Sequence, residues 1–270
     1  MSMRRGVSIF VCAGLALVAP ALSQTEDVSA EAAAAMPVAR ILPAVASIGG
    51  VGGSYFKTSI QLFNQYSAPL SGRLVFHRAG ETAASDDPGL NISIASGETL
   101  SYDDVLAAMG LTGIGTLDIL MPYASTSPLV VSRVFDDAGE SGTSGFTQDV
   151  ISPNEIGPLG RVLTSGNAGY LIIPSDLEAF RFNLGVRMLT VGGWVQFLVF
   201  DAHGEQVADV GKSLESYSFQ QQEASRFLGL DLPAGGSIRV RPTGGSVIVY
   251  GATVDNVTQD PSIQFARSGS

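Results

Sequence analysis

The stretch that most clearly decides the fold is Gly193-Trp194-Val195-Gln196-Phe197-Leu198-Val199-Phe200, which is followed by Asp201-Ala202-His203-Gly204. Eight residues rich in aromatic and branched side chains, ended by a polar turn with glycine, are typical of a β-strand that enters a hairpin. Side chains alternate between the two faces of a strand, so Trp194 and Gln196 share one face. Both faces of this strand carry apolar side chains, but a sandwich strand needs only one buried face, which leaves the other face for a partner. We therefore predict Trp194 and Gln196 as partner-contact residues, with a core that is apolar on both faces as the alternative.

The same pattern extends outward over most of the chain. From Val38 to Ala266, short runs of branched and aromatic residues are interrupted by Gly, Pro, Asn or Asp at intervals of about 8 to 12 residues, which indicates an all-β sandwich or barrel. Only two short helices are predicted. The first covers 103–109 with Asp103 and Asp104 at its start, and the second covers 219–228 and ends at Gly229.

The strand pattern occurs twice. Leu74-Val75-Phe76 matches Leu198-Val199-Phe200 about 124 residues later, and Thr147-Gln148-Asp149 matches Thr258-Gln259-Asp260. A repeat of this length is a whole domain, so we predict two homologous immunoglobulin-like β-sandwich domains in tandem, each with one short helix. The predicted organisation is a signal peptide (1–23), a flexible Ala- and acid-rich spacer (24–37), β-sandwich repeat 1 (38–149), a linker (150–169), β-sandwich repeat 2 (170–266) and a tail (267–270).

The N-terminal segment has the features of a secretory signal peptide. Arg4 and Arg5 precede an apolar run over 7–22, and small residues at its end favour cleavage after Ser23. A retained membrane anchor is the alternative, but the run is shorter than the roughly 20 residues that a bilayer span needs. Cys12, the single cysteine, lies inside this run, so the mature chain would have no thiol. We predict a secreted or periplasmic protein without an integral membrane segment after processing.

Charge composition excludes some partners. The 270 residues carry a formal net charge of -10, and only 15% of them are charged. Phosphate binding needs a basic face, so nucleic acid is not expected as a partner, and an anionic membrane surface is disfavoured for the same reason.

Three segments carry a resemblance to a known family. These are Arg181-Phe182-Asn183-Leu184-Gly185, Asp201-Ala202-His203-Gly204 and the closing segment 250–261. Together they resemble tandem immunoglobulin-like β-sandwich repeats of uncharacterised secreted bacterial proteins. The resemblance implies a bacterial, extracytoplasmic β-sandwich module, and it implies no catalytic residue.

Residues that carry chemistry are few. His77 and His203 are predicted in exposed turns of separate repeats, and the acidic pairs, such as Asp136-Asp137, fit turns and helix starts. Ser54-Tyr55-Phe56-Lys57 fits the Ser-x-x-Lys pattern of serine acyltransferases, but their partner Lys-Thr-Gly is absent. No other nucleophile motif and no phosphate-binding or metal-binding motif occurs. We therefore expect a non-enzymatic protein without catalytic residues, cofactors or a metal. A calcium site assembled from separate loops would leave no linear motif and stays open as an alternative.

These observations lead to one functional expectation with two alternatives. The expected function is that of an exported binding, adhesive or structural surface module that acts through contacts with a protein or cell-surface partner. A carbohydrate-binding or calcium-dependent module is the first alternative, although sugar platforms usually present several aromatic rings and this chain has one Trp. A hydrolase with a carboxylate site is a more remote alternative.

Overall fold

The computed structural model describes residues 37–84, 86–123, 125–139 and 142–268. The predicted signal peptide, and the predicted spacer up to residue 36, lie outside the described residues. Of the described residues, 55% lie in strands and 6% in helices, so the predicted all-β class is confirmed.

The structure contains eighteen strands and two short α-helices among the described residues, and it falls into two halves. The elements of the first half are β1 (Val38–Gly49), β2 (Tyr55–Phe63), β3 (Leu70–Arg78), β4 (Gly89–Ile94), β5 (Thr99–Tyr102), α1 (Val105–Ala108), β6 (Gly113–Leu120), β7 (Leu129–Asp137) and β8 (Thr143–Gln148). Those of the second half are β9 (Leu163–Thr164), β10 (Gly169–Ile172), β11 (Phe180–Met188), β12 (Gly193–Phe200), β13 (Gln206–Leu214), β14 (Phe219–Glu223), α2 (Ala224–Leu228), β15 (Ser237–Pro242), β16 (Ser246–Asp255), β17 (Pro261–Phe265) and β18 (Arg267–Ser268).

The strands pair in the same order in the two halves. In the second half, one sheet has the order β13-β12-β15-β10-β18 and the other has the order β14-β11-β16-β17, with β9 added to β16. In the first half, β4-β3-β6-β1 and β5-β2-β7-β8 follow the same order, and the pairing of β1 with β2 joins them into one sheet of eight strands. Each helix lies between the equivalent pair of strands, β5 and β6 or β14 and β15.

Each half has its own apolar core between its strands. Leu42, Leu74 and Phe76 belong to the core of the first half, and Phe197 and Val249 belong to that of the second. Complete burial of such a side chain contributes roughly 1.5 to 3 kcal/mol, so these inner faces supply the main stabilisation of a chain without predicted disulfides.

Strand pairing corrects one detail of the sequence match. Phe76 lies opposite Leu117 in the first half, and Val199 lies opposite Ile238 in the second half. In sequence, Gly115-Thr116-Leu117 matches Gly236-Ser237-Ile238, which makes Leu117 and Ile238 equivalent. The counterpart of Phe76 is therefore Val199 and not Phe200. The correction matters because a shift of one residue moves a side chain to the other face of the sheet.

The predicted helices are both present but shorter than expected. Helix α1 begins after Asp104, whose side chain accepts a hydrogen bond from the backbone N–H of Ala107 at 3.1 Å, so Asp104 rather than Asp103 caps it. The second prediction was wrong over Phe219–Glu223, which forms β14 and pairs antiparallel with β11. Only Ala224–Leu228 is helical, and it ends at Gly229 with φ 77°. Pairing with β11 overrides the helical tendency of the three glutamines.

The segment that joins the halves is packed against both of them. Ile151 forms a β-bridge with Ile41 in the first half, and Leu163 pairs with Val247 in the second half. Val162 is fully buried in the same cluster as Ile41. The predicted tail also contributes to the fold, since Arg267–Ser268 pairs with β10.

Candidate functional site

The predicted contact residues Trp194 and Gln196 both lie on the outer face of the sheet β13-β12-β15-β10-β18. We call this surface the Trp194 face. The inward residues of β12, which alternate with them, belong to the core of the second half. Strand register places these residues on the Trp194 face: Asp209, Gly211 and Ser213 on β13; Trp194, Gln196, Leu198 and Phe200 on β12; Ser237, Arg239 and Arg241 on β15; Tyr170 and Ile172 on β10; and Arg267 on β18.

The indole of Trp194 packs against the neighbouring strand at Gly211. A Cβ atom built on Gly211 would be 1.9 Å from Cζ2 of Trp194, so the ring occupies the space that a side chain at residue 211 would need. Trp194 nevertheless remains 50% exposed. Part of the indole therefore packs against the glycine, and about half of the side chain faces solvent.

The same arrangement of an aromatic ring over a strand glycine occurs inside the protein. Tyr250 covers Gly185 at the contact between the halves, and there the ring is completely buried. Burial raises the pKa of Tyr250, whose hydroxyl donates a 2.5 Å hydrogen bond to Oε1 of Gln221. This comparison shows what is particular to Trp194, namely that its outer surface is left uncovered by the described residues.

Polar groups beside the indole are held in place. Nε2 of Gln196 donates to both carboxylate oxygens of Asp209 at 2.9 Å. Leu198, the next outward residue of β12, is buried, whereas Tyr170 and Ile172 on β10 are exposed. The Trp194 face therefore combines exposed apolar side chains with a fixed amide–carboxylate pair.

The two histidines differ from each other in the structure. His203 lies in an exposed turn, as predicted. The prediction for His77 was wrong, because His77 belongs to β3 and is only 8% exposed. Its Nδ1 is 2.5 Å from Oδ2 of Asp87, and its Nε2 is 2.9 Å from Oδ2 of Asp118. Sequence reasoning missed this because Asp87 and Asp118 come from a loop and from β6, which adjoin His77 only in the folded chain.

An ion pair extends this cluster into the second half. Arg187 of β11, 3% exposed, approaches Oδ2 of Asp118 at 3.1 Å and also donates to the backbone oxygen of Tyr217. Burial raises the pKa of Asp118, but the charge of Arg187 and the hydrogen bond with His77 outweigh it, so the net pKa lies below the usual value. The arrangement favours an ionised carboxylate that holds the halves together. It does not resemble a general acid, which would need a raised pKa.

A partly open cavity of about 330 Å³ lies between the halves. Its walls are mainly apolar, with Ile48 and Phe56 from the first half and Tyr250 from the second half. Its polar lining comes from Arg181 and the amides of Asn183, Gln221 and Gln222, and it includes no carboxylate, histidine or cysteine. Arg181 is already bonded to Oδ1 of Asn256 and Oε1 of Gln259.

The carboxylates that the sequence singled out have local structural partners. Oδ1 of Asp136 accepts the backbone N–H of Tyr55 at 2.7 Å. Asp137 pairs with Lys57, and this hydrogen bond is the main cause that lowers the pKa of Asp137. Over the described ranges, no group of three or more His, Cys, Asp or Glu side chains is arranged to hold a metal ion.

No helix within the described part of the chain has the length and apolar character needed to cross a membrane.

Comparisons with known proteins give no family. No family model and no curated protein matches the chain. Solved structures include procruciferin, an 11S globulin from Brassica napus, at 10% identity and a TM-score of 0.25, with 83% of this chain and 74% of that chain covered. A lectin from Pleurotus ostreatus in complex with GalNAc has 10% identity and a TM-score of 0.17, with 85% and 83% covered. A calcium-binding mutant of Bacteroides uniformis beta-glucuronidase 2 has 10% identity and a TM-score of 0.13, with 82% and 28% covered. Likenesses this weak carry no argument about fold or function.

Proposed function

We propose that this protein is an exported, non-enzymatic binding or adhesive module that contacts a protein partner through the Trp194 face. The observation that carries the proposal is the half-exposed indole of Trp194, which packs against Gly211. A rigid aromatic ring loses little side-chain entropy on binding, and tryptophan is enriched among the residues that dominate binding energy.

The proposal includes a tandem architecture of two homologous immunoglobulin-like domains. The identical order of paired strands in the two halves supports it, together with the equivalent position of one short helix in each half. It also includes export. N-terminal sequencing of natively produced material should then begin near Gln24, and a mature chain that begins at Met1 would contradict this part.

Carbohydrate binding is a second candidate, favoured by one specific observation. A flat indole beside the Gln196–Asp209 pair offers both a stacking surface and hydrogen-bonding groups to a sugar ring. Against it, the other exposed aromatic ring of the face, that of Tyr170, lies two strands away and four residues further along the register. With standard strand geometry this separates the two Cα positions by roughly 16 Å.

The test is capture of partners from the native cell surface by the mature protein. We expect Trp194→Ala to weaken capture by at least about tenfold, because truncation of a central tryptophan costs 2 kcal/mol or more in many interfaces. The matched control is Tyr123→Ala, an aromatic residue that is 70% exposed and lies outside the Trp194 face. Equal loss in both variants, or loss in neither, would contradict the proposal.

A further inference from the structure

We infer that the partner of the Trp194 face is an acidic protein segment, one whose Asp and Glu side chains meet a row of arginines on the sheet. This inference rests on the proposed function and adds to it the chemistry of the partner. Three observations lead to it: where the arginines lie, what they contact, and how their charge compares with that of the rest of the chain.

Register brings the arginines of the face together. Arg239 lies directly opposite Tyr170, which lies opposite Arg267 on the next strand. Arg241 lies two residues beyond Arg239 on β15, opposite Gln196. Neighbouring strands are about 4.8 Å apart, so the three guanidinium groups and Trp194 belong to one continuous surface.

None of the three arginines forms an ion pair with a described carboxylate. Asp209, the acidic residue that the register places on this face, accepts hydrogen bonds from Gln196. The guanidinium of Arg239 lies over the ring of Tyr170 at 5.7 Å, and its Nε is buried without a hydrogen-bond partner. Their charge is therefore available to an incoming anion, and stacking on Tyr170 holds one of them in place.

The charge of this face is opposite to that of the chain as a whole. Because its net charge is -10, the protein repels an acidic partner that approaches from most directions. A local cluster of arginines would steer such a partner to the Trp194 face and fix its orientation. Complementary charge thus selects both the partner and the side on which it binds.

The apolar residues of the face favour a protein segment over an acidic polysaccharide. Ile172 is exposed beside Tyr170, and Trp194 presents its indole at the other end of the surface. An acidic protein segment can cover these residues with its own apolar side chains while its carboxylates reach the arginines. A chain of uronic acids has carboxylates but no comparable apolar side chains.

The experiment measures binding of a copolymer of L-glutamate and L-leucine, which carries both carboxylates and apolar side chains, to the mature protein through the fluorescence of Trp194, the single tryptophan in the chain. We expect saturable binding at low salt that weakens steeply as salt is raised, because exposed charges are screened beyond a Debye length of about 10 Å at 0.1 M. Arg241→Glu and Arg267→Glu should each weaken binding about tenfold. The matched control is Arg226→Glu, an exposed arginine on α2 of the same half, which should leave binding unchanged.

Three outcomes would overturn the inference: no binding of the glutamate–leucine copolymer at low salt, equal loss in the Arg226→Glu control, or tighter binding of polygalacturonate than of the copolymer. The far-ultraviolet circular dichroism of each variant establishes that it is folded. Failure here is distinguishable from failure of the proposed function. If native capture depends on Trp194 but not on Arg241 or Arg267, the contact face stands and the acidic partner does not.

Discussion

At the scale of single residues, the main finding is that two aromatic–glycine pairs have different surroundings. Tyr250 over Gly185 is sealed at the contact between the halves, and Trp194 over Gly211 is open to solvent. Alternation along β12 correctly placed Trp194 and Gln196 on one face. It could not reveal Gly211, because the approach of the indole to that glycine depends on the pairing of β12 with β13.

Replacement of Gly211 tests the position of the indole. Gly211→Ala places a methyl group where Cζ2 of Trp194 now lies, so the ring should move outward and become more accessible. We expect a red shift of tryptophan emission and stronger quenching by acrylamide. The control is Gly49→Ala, because a Cβ there meets no atom within 4 Å. Unchanged emission in Gly211→Ala would show that the indole does not rest on this strand.

Replacement of Asp118 tests the buried ion pair between the halves. Asp118→Asn leaves the charge of Arg187 buried and uncompensated, so the free energy of unfolding should fall by about 3 to 5 kcal/mol. Urea denaturation measures the change. Asp231→Asn, at an exposed position, should stay within about 0.5 kcal/mol of the original protein. A loss as small as that of the control would mean that the pair does not stabilise the fold.

The lowered pKa of Asp118 also predicts a dependence of stability on pH. Its folded pKa lies below the unfolded value of about 3.9, so its contribution is complete above that value. The contribution is lost as the pH falls through the folded pKa, because the unfolded carboxyl takes up its proton first. Urea denaturation from about pH 6 to pH 3 should therefore show a smaller decline in Asp118→Asn than in the original protein, and parallel curves would contradict this reading.

At the scale of secondary-structure elements, a capping residue determines where a helix begins, whereas pairing with a neighbouring strand determines whether a segment becomes a strand. Asp104 shows how an acidic side chain starts a helix, and the sequence predicted that helix to within a residue or two. Phe219–Glu223 shows the opposite, since its residues look acceptable for a helix and form a strand. The segment becomes a strand because the edge of β11 is available to pair with it. The position of that edge depends on the folded chain, so the residues of the segment alone do not indicate it.

The helix cap gives a matched pair of variants. Asp104→Ala removes the acceptor of the Ala107 N–H and of the Ser47 hydroxyl, so we expect a loss of about 1 kcal/mol or slightly more. Asp103→Ala changes an exposed neighbour and should cost less than about 0.5 kcal/mol. Thermal or urea denaturation compares the two. Equal effects would mean that the cap is not at Asp104.

At the scale of the whole molecule, the sequence predicted the all-β class. It did not predict how closely the halves pack. Strand β1 is buried on both faces, with Leu42 in the core of the first half and Ala44 against Tyr250 of the second half. A β-bridge between Thr82 and Ser218 adds a further contact. These contacts form only when one half packs against the other. The pattern of apolar residues within either half therefore does not predict them.

The packing of the halves also explains which surface is left for a partner. The outer face of the sheet β14-β11-β16-β17 is used against the first half, through Phe219 and Tyr250. The Trp194 face belongs to the opposite sheet of the second half and keeps its exposed aromatic and basic side chains. The proposed function therefore requires that the partner contacts the protein on this sheet.

Oxidative footprinting of the mature protein, free and bound to the surface of the cells that export it, tests that claim most directly. We expect binding to protect Trp194 and Tyr170 from oxidation. Tyr123, which is exposed on the first half, should be oxidised as readily in the bound protein as in the free protein. Protection of Tyr123 with no change at Trp194 would place the contact elsewhere and contradict the account.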